Sequence, residues 1–587
     1  MTPDRHPVQV IEGVRTLGDL LRHHAGVRPD RPACVELDSH GEEVTTLTYA
    51  ELDRRVRDTA ALLQQTASPG DRAMLMLPNG ADFVVAFFAC AYAGLVAVPS
   101  PAPDAIHSGK RTLGRLDGIV KDADPAVVLT TAQHAESSLV ADLGSVEPIV
   151  VADVPAGLAV LWRDPGVRSQ DPAFLQYTSG STSAPKGVVL SHANVLANAA
   201  AIEVLVDARS CPPDEFSVVS WLPIFHDMGL AQLIGALHAG GRVVLLPPMA
   251  LLMRPFVWLD AVSRYRGWVS SAPNFAYELC VAKLTEEQKA RLDLRGWRIA
   301  LNGAEPVRHS TLTRFMDAFA GAGFSADTMR PCYGLAEAVV YVSGARNPDD
   351  ARLADLDAEA LAERGEVVAA RPGHPSRQIV ACGRIPANLD VRIVAAGVPA
   401  AAEQVGEIWV AGDSVSGGYW RQPEATEARF GGRLADRPDT TYLRTGDLGF
   451  VRDAQLFVLG RLDDLIIVDG RNHYPTDIER TVAAAHPAIA ADAVAAFPFG
   501  DDGQLGVVAE TARQVRVDRS VDRSAGGAGV AYDDVVAAVR RAVADEHQLH
   551  VASVTLLRPG GLPRTTSGKV QRKRSRDLLP DGGPKAW

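Results

Sequence analysis

The densest cluster of hydrogen-bonding side chains in the sequence is residues 177–187 (YTSGSTSAPKG), which follow an apolar run at 173–175. Hydroxyl groups and exposed backbone N–H groups donate hydrogen bonds to phosphate oxygens, and a glycine lets the backbone approach those oxygens closely. Lys186 adds a compact positive charge that suits a phosphate. The segment is not a Walker A loop, because Gly187 rather than Ser or Thr follows the lysine. It predicts a phosphate-binding loop, with a flexible Ser/Thr/Gly linker as the alternative.

A histidine and an aspartate, His226 and Asp227, follow a second apolar run within residues 221–230 (WLPIFHDMGL). Loops that follow strands often carry binding and catalytic groups. A lone histidine is more often a hydrogen-bonded residue of the core, so the residues alone leave both interpretations open.

Four further segments combine glycine with charged or aromatic side chains. They are 302–306 (NGAEP), 333–337 (YGLAE), 442–449 (YLRTGDLG) and, close to the end of the chain, 563–570 (PRTTSGKV). Taken alone, each of the first two turns is more often plain structure than a binding site, and the basic residues near the end of the chain could form only a solvated tail.

The composition is ordinary for a globular protein of several domains, for which a soluble enzyme is the default expectation. With 587 residues the chain is long enough for about four domain-sized units, and its 47% hydrophobic and 22% charged residues exclude global disorder. A net charge of −12 argues against nucleic-acid binding. The six cysteines have no CxxC spacing, which argues against a zinc site or a disulfide framework and suits the cytoplasm. No signal peptide is apparent at the N-terminus.

Helical and strand patterns alternate along the first half of the chain. Residues 50–65 predict an amphipathic helix, and 127–130 and 149–151 predict short buried strands, so we expect α/β layers. Residues 83–98 are uncharged but shorter than the about 20 residues of a membrane span, and they predict a buried helix, a stop at Gly94 and a core strand. The remaining predictions are short strands of a small β subdomain at 391–394 and 407–410, a polar surface insertion at about 344–378, a low-complexity loop at 517–529 and a helix at 532–548.

In chain order, the motifs closely resemble those of the adenylate-forming superfamily, which includes acyl-CoA synthetases, peptide-synthetase adenylation domains, luciferases and fatty acyl-AMP ligases. The resemblance covers about residues 15–577. It implies an α/β fold in which a large N-terminal adenylation domain, residues 1–460, contains two αβα-type subdomains and a small β subdomain. A hinge at 461–464 would connect it to a smaller, mobile α+β lid domain, residues 465–587.

The resemblance also implies the reaction: a carboxylate attacks the α-phosphate of ATP with Mg²⁺, pyrophosphate leaves, and an acyl-adenylate forms that a thiol then attacks. Lys569 matches the catalytic lysine, His226 belongs to the histidine motif, and Glu337 supplies a carboxylate suited to Mg²⁺. Asp463 matches the pivot of domain rotation. The nucleotide-binding positions implied are Thr178, Ser179, Gly180, Ser181, Thr182, Lys186, Asp227, Gly303, Ala304, Glu305, Pro306, Tyr333, Gly334, Leu335, Ala336, Asp447 and Arg461, with Tyr333 stacking on adenine and Asp447 accepting from the ribose hydroxyls.

Three features resemble fatty acyl-AMP ligases in particular: the His-Asp-Met-Gly form at 226–229, Arg-Asn-His-Tyr-Pro at 471–475, and the insertion. The resemblance then implies a fatty acid as the substrate and the phosphopantetheine of an acyl carrier protein, acting in trans, as the acceptor. Basic residues around Lys569 could meet an acidic carrier. Ser183 and Ile467 depart from the wider pattern, in which many relatives have Gly and Lys, and Ile467 disfavours transfer to coenzyme A. The alternatives are an acyl-CoA or aryl-CoA ligase and a non-catalytic nucleotide-binding scaffold.

Overall fold

The computed structural model describes residues 11–103, 110–137, 147–178, 185–212, 214–468, 471–499, 504–515, 517–518, 530–564 and 569–579. A six-stranded sheet comes first, and its neighbouring strands are parallel except for the last pair. Its strands, in spatial order, are Pro148–Val150, Val127–Thr130, Arg72–Met76, Val96–Pro99, Pro172–Thr178 and Lys186–Ser191. The strands predicted at 127–130 and 149–151 are therefore confirmed.

The uncharged stretch at 83–98 forms a core helix followed by a strand. The helix Ala81–Ala93 has no exposed residue, which explains why its sequence lacks a polar face. It ends at Gly94, whose φ of 75° lies in the left-handed region that glycine adopts without strain, and Val96–Pro99 follows as a strand of the six-stranded sheet. No helix in the part of the chain that the structure describes combines the length and apolarity that a membrane crossing needs.

A second, larger sheet has sixteen strands and two differently built halves. One half is parallel apart from its edge strand and runs in the order Glu43–Thr48, Pro32–Leu37, Arg242–Leu245, Ser217–Ser220, Val269–Ala272, Ile299–Asn302 and Met329–Tyr333. The other half is antiparallel and continues through Ser343–Gly344, Ser376–Arg384, Gln455–Arg461, Arg437–Arg452, Gly406–Gly412, Leu389–Ala395 and Val398–Pro399, with Leu353–Asp357 and Gly432–Leu434 pairing at its side. The antiparallel half contains both strands predicted at 391–394 and 407–410.

Helices accompany the two sheets, as expected for α/β layers. The helix predicted at 50–65 is confirmed as Tyr49–Thr66, and a capping box at Thr48 and Glu51 defines its start. The other helices of this part are Leu17–Val27, Lys110–Ala123, Ala132–Ala135, His192–Leu205, Asp227–His238, Pro248–Met253, Phe256–Arg264, Asn274–Lys283, Glu286–Ala290, His309–Phe319, Ala358–Arg364 and Pro423–Phe430.

The segment 344–378 is less superficial than its polar sequence predicts. The strand Leu353–Asp357 pairs with Ser376–Arg384, and the helix Ala358–Arg364 follows it directly. Leu356 and Leu361 are buried in the same apolar cluster as Phe450 and Phe457 of the antiparallel half. A few apolar side chains are enough to pack this segment against the sheet. Because charged residues surround them in the sequence, the sequence pattern did not predict that packing.

The C-terminal region forms a small α+β unit with its own core. A hairpin of Ile466–Val468 and Arg471–His473 precedes a sheet ordered Ile489–Phe499, Gln504–Thr511 and Val551–Leu557. The remaining elements are the helices Pro475–Ala485, Tyr532–His547 and Arg572–Ser575 and the short strands Val517–Asp518 and Val530–Ala531. Val535, Val539 and Val543 are fully buried along one face of the helix predicted at 532–548. Most of the loop predicted at 517–529 lies outside the described residues.

Candidate active site

Two of the predicted loops leave the large sheet at one edge. The parallel strands Ile299–Asn302 and Met329–Tyr333 are neighbours, and the segments 303–306 and 334–337 follow their carboxyl ends. In open α/β sheets this edge is where ligands bind. His226 lies in the loop after another strand of the same parallel set, Ser217–Ser220. The sequence motifs therefore meet at a single edge although they are far apart in the chain.

The turn after Tyr333 requires glycine. A Cβ atom on Gly334 would lie 1.3 Å from the carbonyl oxygen of Val340, so no other residue fits without moving the backbone. The chain folds back on itself here, and the next turn carries Glu337 in a 3₁₀ segment, Ala336–Ala338. In the companion loop Ala304 has a φ of 69°, an uncommon conformation for a residue with a side chain.

Asp447 forms the centre of a polar cluster at this edge. The Tyr333 hydroxyl donates to Asp447 Oδ2 at 2.6 Å, and Arg461 Nε lies 3.3 Å from Asp447 Oδ1. Burial raises the pKa of the Asp447 carboxyl, and the Arg461 guanidinium and the Tyr333 hydroxyl oppose that rise. Asp447 in turn raises the pKa of Arg461. The pair is thus partly desolvated, and the Asp447 carboxyl is suited to hydroxyl donors.

Glu337 and Lys186 meet at Tyr419. The Tyr419 hydroxyl donates to Glu337 Oε1 at 2.7 Å, and Lys186 Nζ lies 5.2 Å from the centroid of the Tyr419 ring. The Glu337 carboxylate is close enough to Asp447 to contribute to the raised pKa of that residue. Lys186, Glu337 and Asp447 therefore surround one cleft, although the six-stranded sheet supplies the first and the large sheet the others.

The phosphate-loop candidate is a hairpin whose tip is not described. Thr178 and Lys186 are opposite each other in the antiparallel pair Pro172–Thr178 and Lys186–Ser191. The candidates Ser179, Gly180, Ser181 and Thr182 lie outside the described residues. The hairpin base, with Lys186, faces Tyr419 and hence the cleft.

Lys569 enters the same cleft from the C-terminal unit. It lines a cavity together with Asp227, Ala304, Tyr333 and Gly334. Solvent reaches its side chain at the mouth, yet the protein around the ammonium group lowers the pKa of Lys569, and the carboxylates of Asp227 and Glu305 oppose that shift. Burial raises the pKa of Asp227, with Lys569 opposing it. The first and the last of the predicted motifs, which contain Lys186 and Lys569, thus contribute to one site.

The lowered pKa of Lys569 predicts an alkaline limit to adenylate formation. In the role predicted for Lys569 the cationic form would neutralise phosphate charge, and that form is lost as the pH rises through the lowered pKa. We expect kcat/KM for pyrophosphate release to fall at a lower pH than an ordinary lysine would give. The Lys569→Arg variant keeps its charge, so its decline should move to higher pH. Coincident profiles for the two proteins would contradict this assignment.

His226 is the residue immediately before the helix Asp227–His238. Its backbone carbonyl accepts the hydrogen bond from Leu230 N–H, and its half-buried ring lies 4.5 Å from the ring of Phe225, centroid to centroid. The next residue, Asp227, lines the cavity. A role of His226 in catalysis stays a prediction.

The cavity encloses about 860 Å³ of empty space, including its opening, and its walls are mainly apolar. Met228, Ala231 and Gly235 line it from one face of the helix Asp227–His238. At the end away from Lys569 the walls are Ile202, Leu205, Val206 and Phe216. A Cβ atom on Gly235 would lie 3.6 Å from Ile202, which places these two helices side by side at that end.

Glu337 fits a magnesium ion that also binds phosphates. No group of three or more His, Cys, Asp or Glu side chains that could hold a metal occurs among the described residues. Mg²⁺ is usually bound through one or two carboxylates, with water and substrate phosphates completing the shell. Tyr419 donates to Oε1 only, and the second carboxylate oxygen of Glu337 accepts no hydrogen bond from the described residues, so it is available in the cleft.

The predicted hinge is a 3₁₀ turn, Leu462–Asp464, between the two parts of the chain. Lys573 Nζ lies 3.6 Å from Asp463, whose side chain is largely exposed. Arg572 holds Asp464 at 3.0 Å and Glu479 at 2.6 Å. The turn is thus anchored to the C-terminal unit on one side of Asp463, and rotation about Asp463 stays a prediction.

Two residues that contribute to the site were not predicted from the sequence. Tyr419, which contacts both Glu337 and Lys186, belongs to a Gly-Gly-Tyr-Trp segment at 417–420 that could have drawn attention. Arg308 forms an ion pair at 2.7 Å with Asp492 of the C-terminal unit and joins the two parts of the chain. Nothing in the sequence around Arg308 signals the contact with Asp492.

Comparisons with known proteins identify the family of this chain. The family described as AMP-binding enzyme matches residues 21–420, and the Disco-interacting protein 2-like AMP domain matches residues 463–578. JamA of Moorena producens, named a medium-chain-fatty-acid–[acyl-carrier-protein] ligase, is 40% identical over 97% of this chain and 96% of its own length. FadD21 of Mycobacterium tuberculosis, which carries the name of a fatty-acid–CoA ligase, is 37% identical over 94% of this chain and 96% of its own.

A solved structure from work on fatty acyl-adenylate ligases of E. coli and L. pneumophila has a TM-score of 0.83 and 31% identity. The match covers 96% of this chain and 98% of that one, which confirms the α/β fold with a large N-terminal domain. The chain belongs to the AMP-binding enzymes of the adenylate-forming superfamily, and within it is most like the fatty acyl-AMP ligases.

Proposed function

We propose that this chain activates a fatty acid with ATP and passes the acyl group to the phosphopantetheine thiol of an acyl carrier protein acting in trans. The observation that carries the proposal is an apolar cavity that opens at Lys569, beside the polar cluster of Asp447 and Arg461. A carboxylate held at the mouth, with its alkyl chain inside, would meet the phosphates of a nucleotide there. JamA, whose name states this reaction with a medium-chain acid, supports the assignment.

Positioning and charge neutralisation account for the first step. The attacking carboxylate and the α-phosphate are both anionic, and at 4 Å with an effective dielectric constant of 20 two like charges repel by about 4 kcal/mol. Lys569 and Lys186 reduce this repulsion, Tyr333 and Asp447 orient the nucleoside, and the apolar walls exclude water from the acyl chain. Glu337 is the residue that would hold Mg²⁺, which neutralises phosphate charge when bound.

Contacts between the insertion and the C-terminal unit support a carrier protein rather than coenzyme A as the acceptor. Arg471 lies 2.6 Å from Glu363 in the inserted helix, and Arg377 forms an ion pair at 2.7 Å with Asp477 and lies 3.9 Å above the ring of Tyr474. These contacts hold the C-terminal unit in the arrangement that brings Lys569 into the cleft. The six cysteines are free thiols, which suits the cytoplasm proposed for the enzyme.

The test supplies the protein with ATP, Mg²⁺ and a mixture of fatty acids, and then with either an acyl carrier protein or coenzyme A. We expect acyl-adenylate by mass spectrometry in the first stage and a thioester on the carrier in the second. Efficient thioester formation with coenzyme A would instead support the acyl-CoA ligase alternative. Nucleotide binding with no adenylate from any acid would support the non-catalytic scaffold.

A further inference from the structure

Two polar side chains in the apolar cavity lack partners. Both amide atoms of Gln232 and the hydroxyl of Ser271 are buried, and none of these atoms has a hydrogen-bond partner among the described residues. Gln232 is 8% exposed and Ser271 is 1% exposed, and both line the cavity. Buried polar atoms in native proteins almost always have a hydrogen-bond partner, so this pair calls for an explanation.

The residues that flank Gln232 and Ser271 in the cavity wall have no side-chain group that could hydrogen-bond to them. Ala231 and Gly235 flank Gln232 on the cavity face of its helix, while Val269 and Leu301 lie beside Ser271 on the sheet. A plain alkyl chain in the cavity would remove water from the amide and the hydroxyl without replacing its hydrogen bonds. Gln232 and Ser271 would then disfavour binding of an unsubstituted fatty acid, although the rest of the cavity suits its alkyl chain.

The position of Gln232 is well inside the cavity. It follows Asp227 by five residues on one helix, which is about 7.5 Å along the helix axis, whereas Ala236 at the far end is about 13.5 Å away. Asp227 and Lys569 mark the mouth, where the reacting carboxylate lies under the proposed function. Gln232 therefore faces the middle of an acyl chain rather than its carboxyl or methyl end, and Ser271 lines the same cavity from the sheet.

We propose that the preferred acid carries a hydroxyl group in the middle of its chain and that this group hydrogen-bonds to Gln232 and Ser271. The inference rests on the proposed function, because it assumes that the cavity holds the acyl chain. A hydroxyl group both donates and accepts, and the amide of Gln232 offers the complementary acceptor and donor within one side chain. The hydroxyl of Ser271 can take either role from the sheet side.

The experiment compares pyrophosphate release with dodecanoic acid and with a positional series of monohydroxylated dodecanoic acids, in which the hydroxyl moves one carbon at a time from the carboxyl end to the methyl end. We expect kcat/KM to peak at a mid-chain position, about 100-fold above dodecanoic acid, because sites built for a substrate hydroxyl strongly reject the analogue without it. Equal values across the series would mean that water satisfies Gln232 and Ser271, and would overturn the proposal.

Three variants extend the test. Gln232→Leu and Ser271→Ala should lower the ratio of kcat/KM for the best hydroxy acid to that for dodecanoic acid, and Gln232→Leu should bring it close to one. Met228→Leu, a volume-conserving change on the same cavity wall, should leave this ratio unchanged. An unchanged ratio in both of the first two variants contradicts the proposal, with Ser271→Ala deciding if Gln232→Leu does not fold. Failure of every acid, including dodecanoic acid, would overturn the proposed function itself.

Discussion

The Lys569→Ala variant is expected to lose about 10²- to 10³-fold in the rate of acyl-adenylate formation while it still binds ATP. Removing one group that stabilises developing charge in an active site typically costs this much. Lys569 is the cation that the C-terminal unit supplies to the cleft, close to Asp227 and Glu305. Asp447, Arg461 and Lys186 remain in place for the nucleotide, so binding should persist. Pyrophosphate release at saturating fatty acid and a nucleotide-binding titration measure the two quantities.

A matched control for this prediction lies five residues further along the chain. Arg574 carries the same charge, is exposed, and belongs to the short helix Arg572–Ser575. Arg574→Ala should leave the rate of adenylate formation within a factor of two or so, since an exposed charge contributes little. If Lys569→Ala released pyrophosphate as fast as the Arg574→Ala protein, Lys569 would have no part in the chemistry.

The second large effect is expected on ATP affinity, in Asp447→Asn. The change keeps the shape of the side chain but removes the charge that pairs with Arg461 and that would accept from both ribose hydroxyls. Hydrogen bonds to a charged group are worth about 1.5–3 kcal/mol and neutral ones about 1, so two weakened bonds lose about 1–4 kcal/mol in total. The KM for ATP should therefore rise by about 5- to 900-fold, with about 70-fold at the middle of that range. The KM for the fatty acid should change far less, because Asp447 does not line the apolar cavity.

Tyr333→Phe provides the control for Asp447→Asn. It removes the hydroxyl that donates to Asp447 and keeps the ring that is expected to contact adenine, so the KM for ATP should rise only a few-fold. Steady-state kinetics with ATP varied at saturating acid gives both values. A larger rise in Tyr333→Phe than in Asp447→Asn would mean that the tyrosine, and not the carboxylate, dominates nucleotide binding.

A structural feature can be predicted from the sequence when the residues that determine it are neighbours in the chain. The buried helix and strand in 83–98 were predictable because a Gly stop and an uncharged run are features of neighbouring residues. The convergence of Glu337 and Asp447 was predictable only through resemblance, because no spacing reveals that two loops share a cleft. The packing of Leu356 and Leu361 against Phe450 and Phe457 could not be anticipated, since the partners lie about a hundred residues away.

The cavity and the contact of Tyr419 could not be predicted from the sequence either. The helix face that lines the cavity contains Ala231 and Gly235, which have no chemical signature of their own and matter because they leave space. Tyr419 donates its hydroxyl to Glu337, a contact between residues that lie 82 positions apart in the chain. Space and direction arise only when distant elements pack, so reasoning from residue types alone does not reach them.

The ion pair between Arg308 and Asp492 has a consequence for how the enzyme responds to electrolytes. Its two side chains are 53% and 44% exposed, so it contributes at most about 1 kcal/mol to holding the C-terminal unit against the rest of the molecule. Such a bond weakens as the Debye length shortens from about 10 Å at 0.1 M salt to about 3 Å at 1 M. Added salt should therefore favour release of that unit. Release would shift the balance from formation of the adenylate towards the proposed transfer of the acyl group.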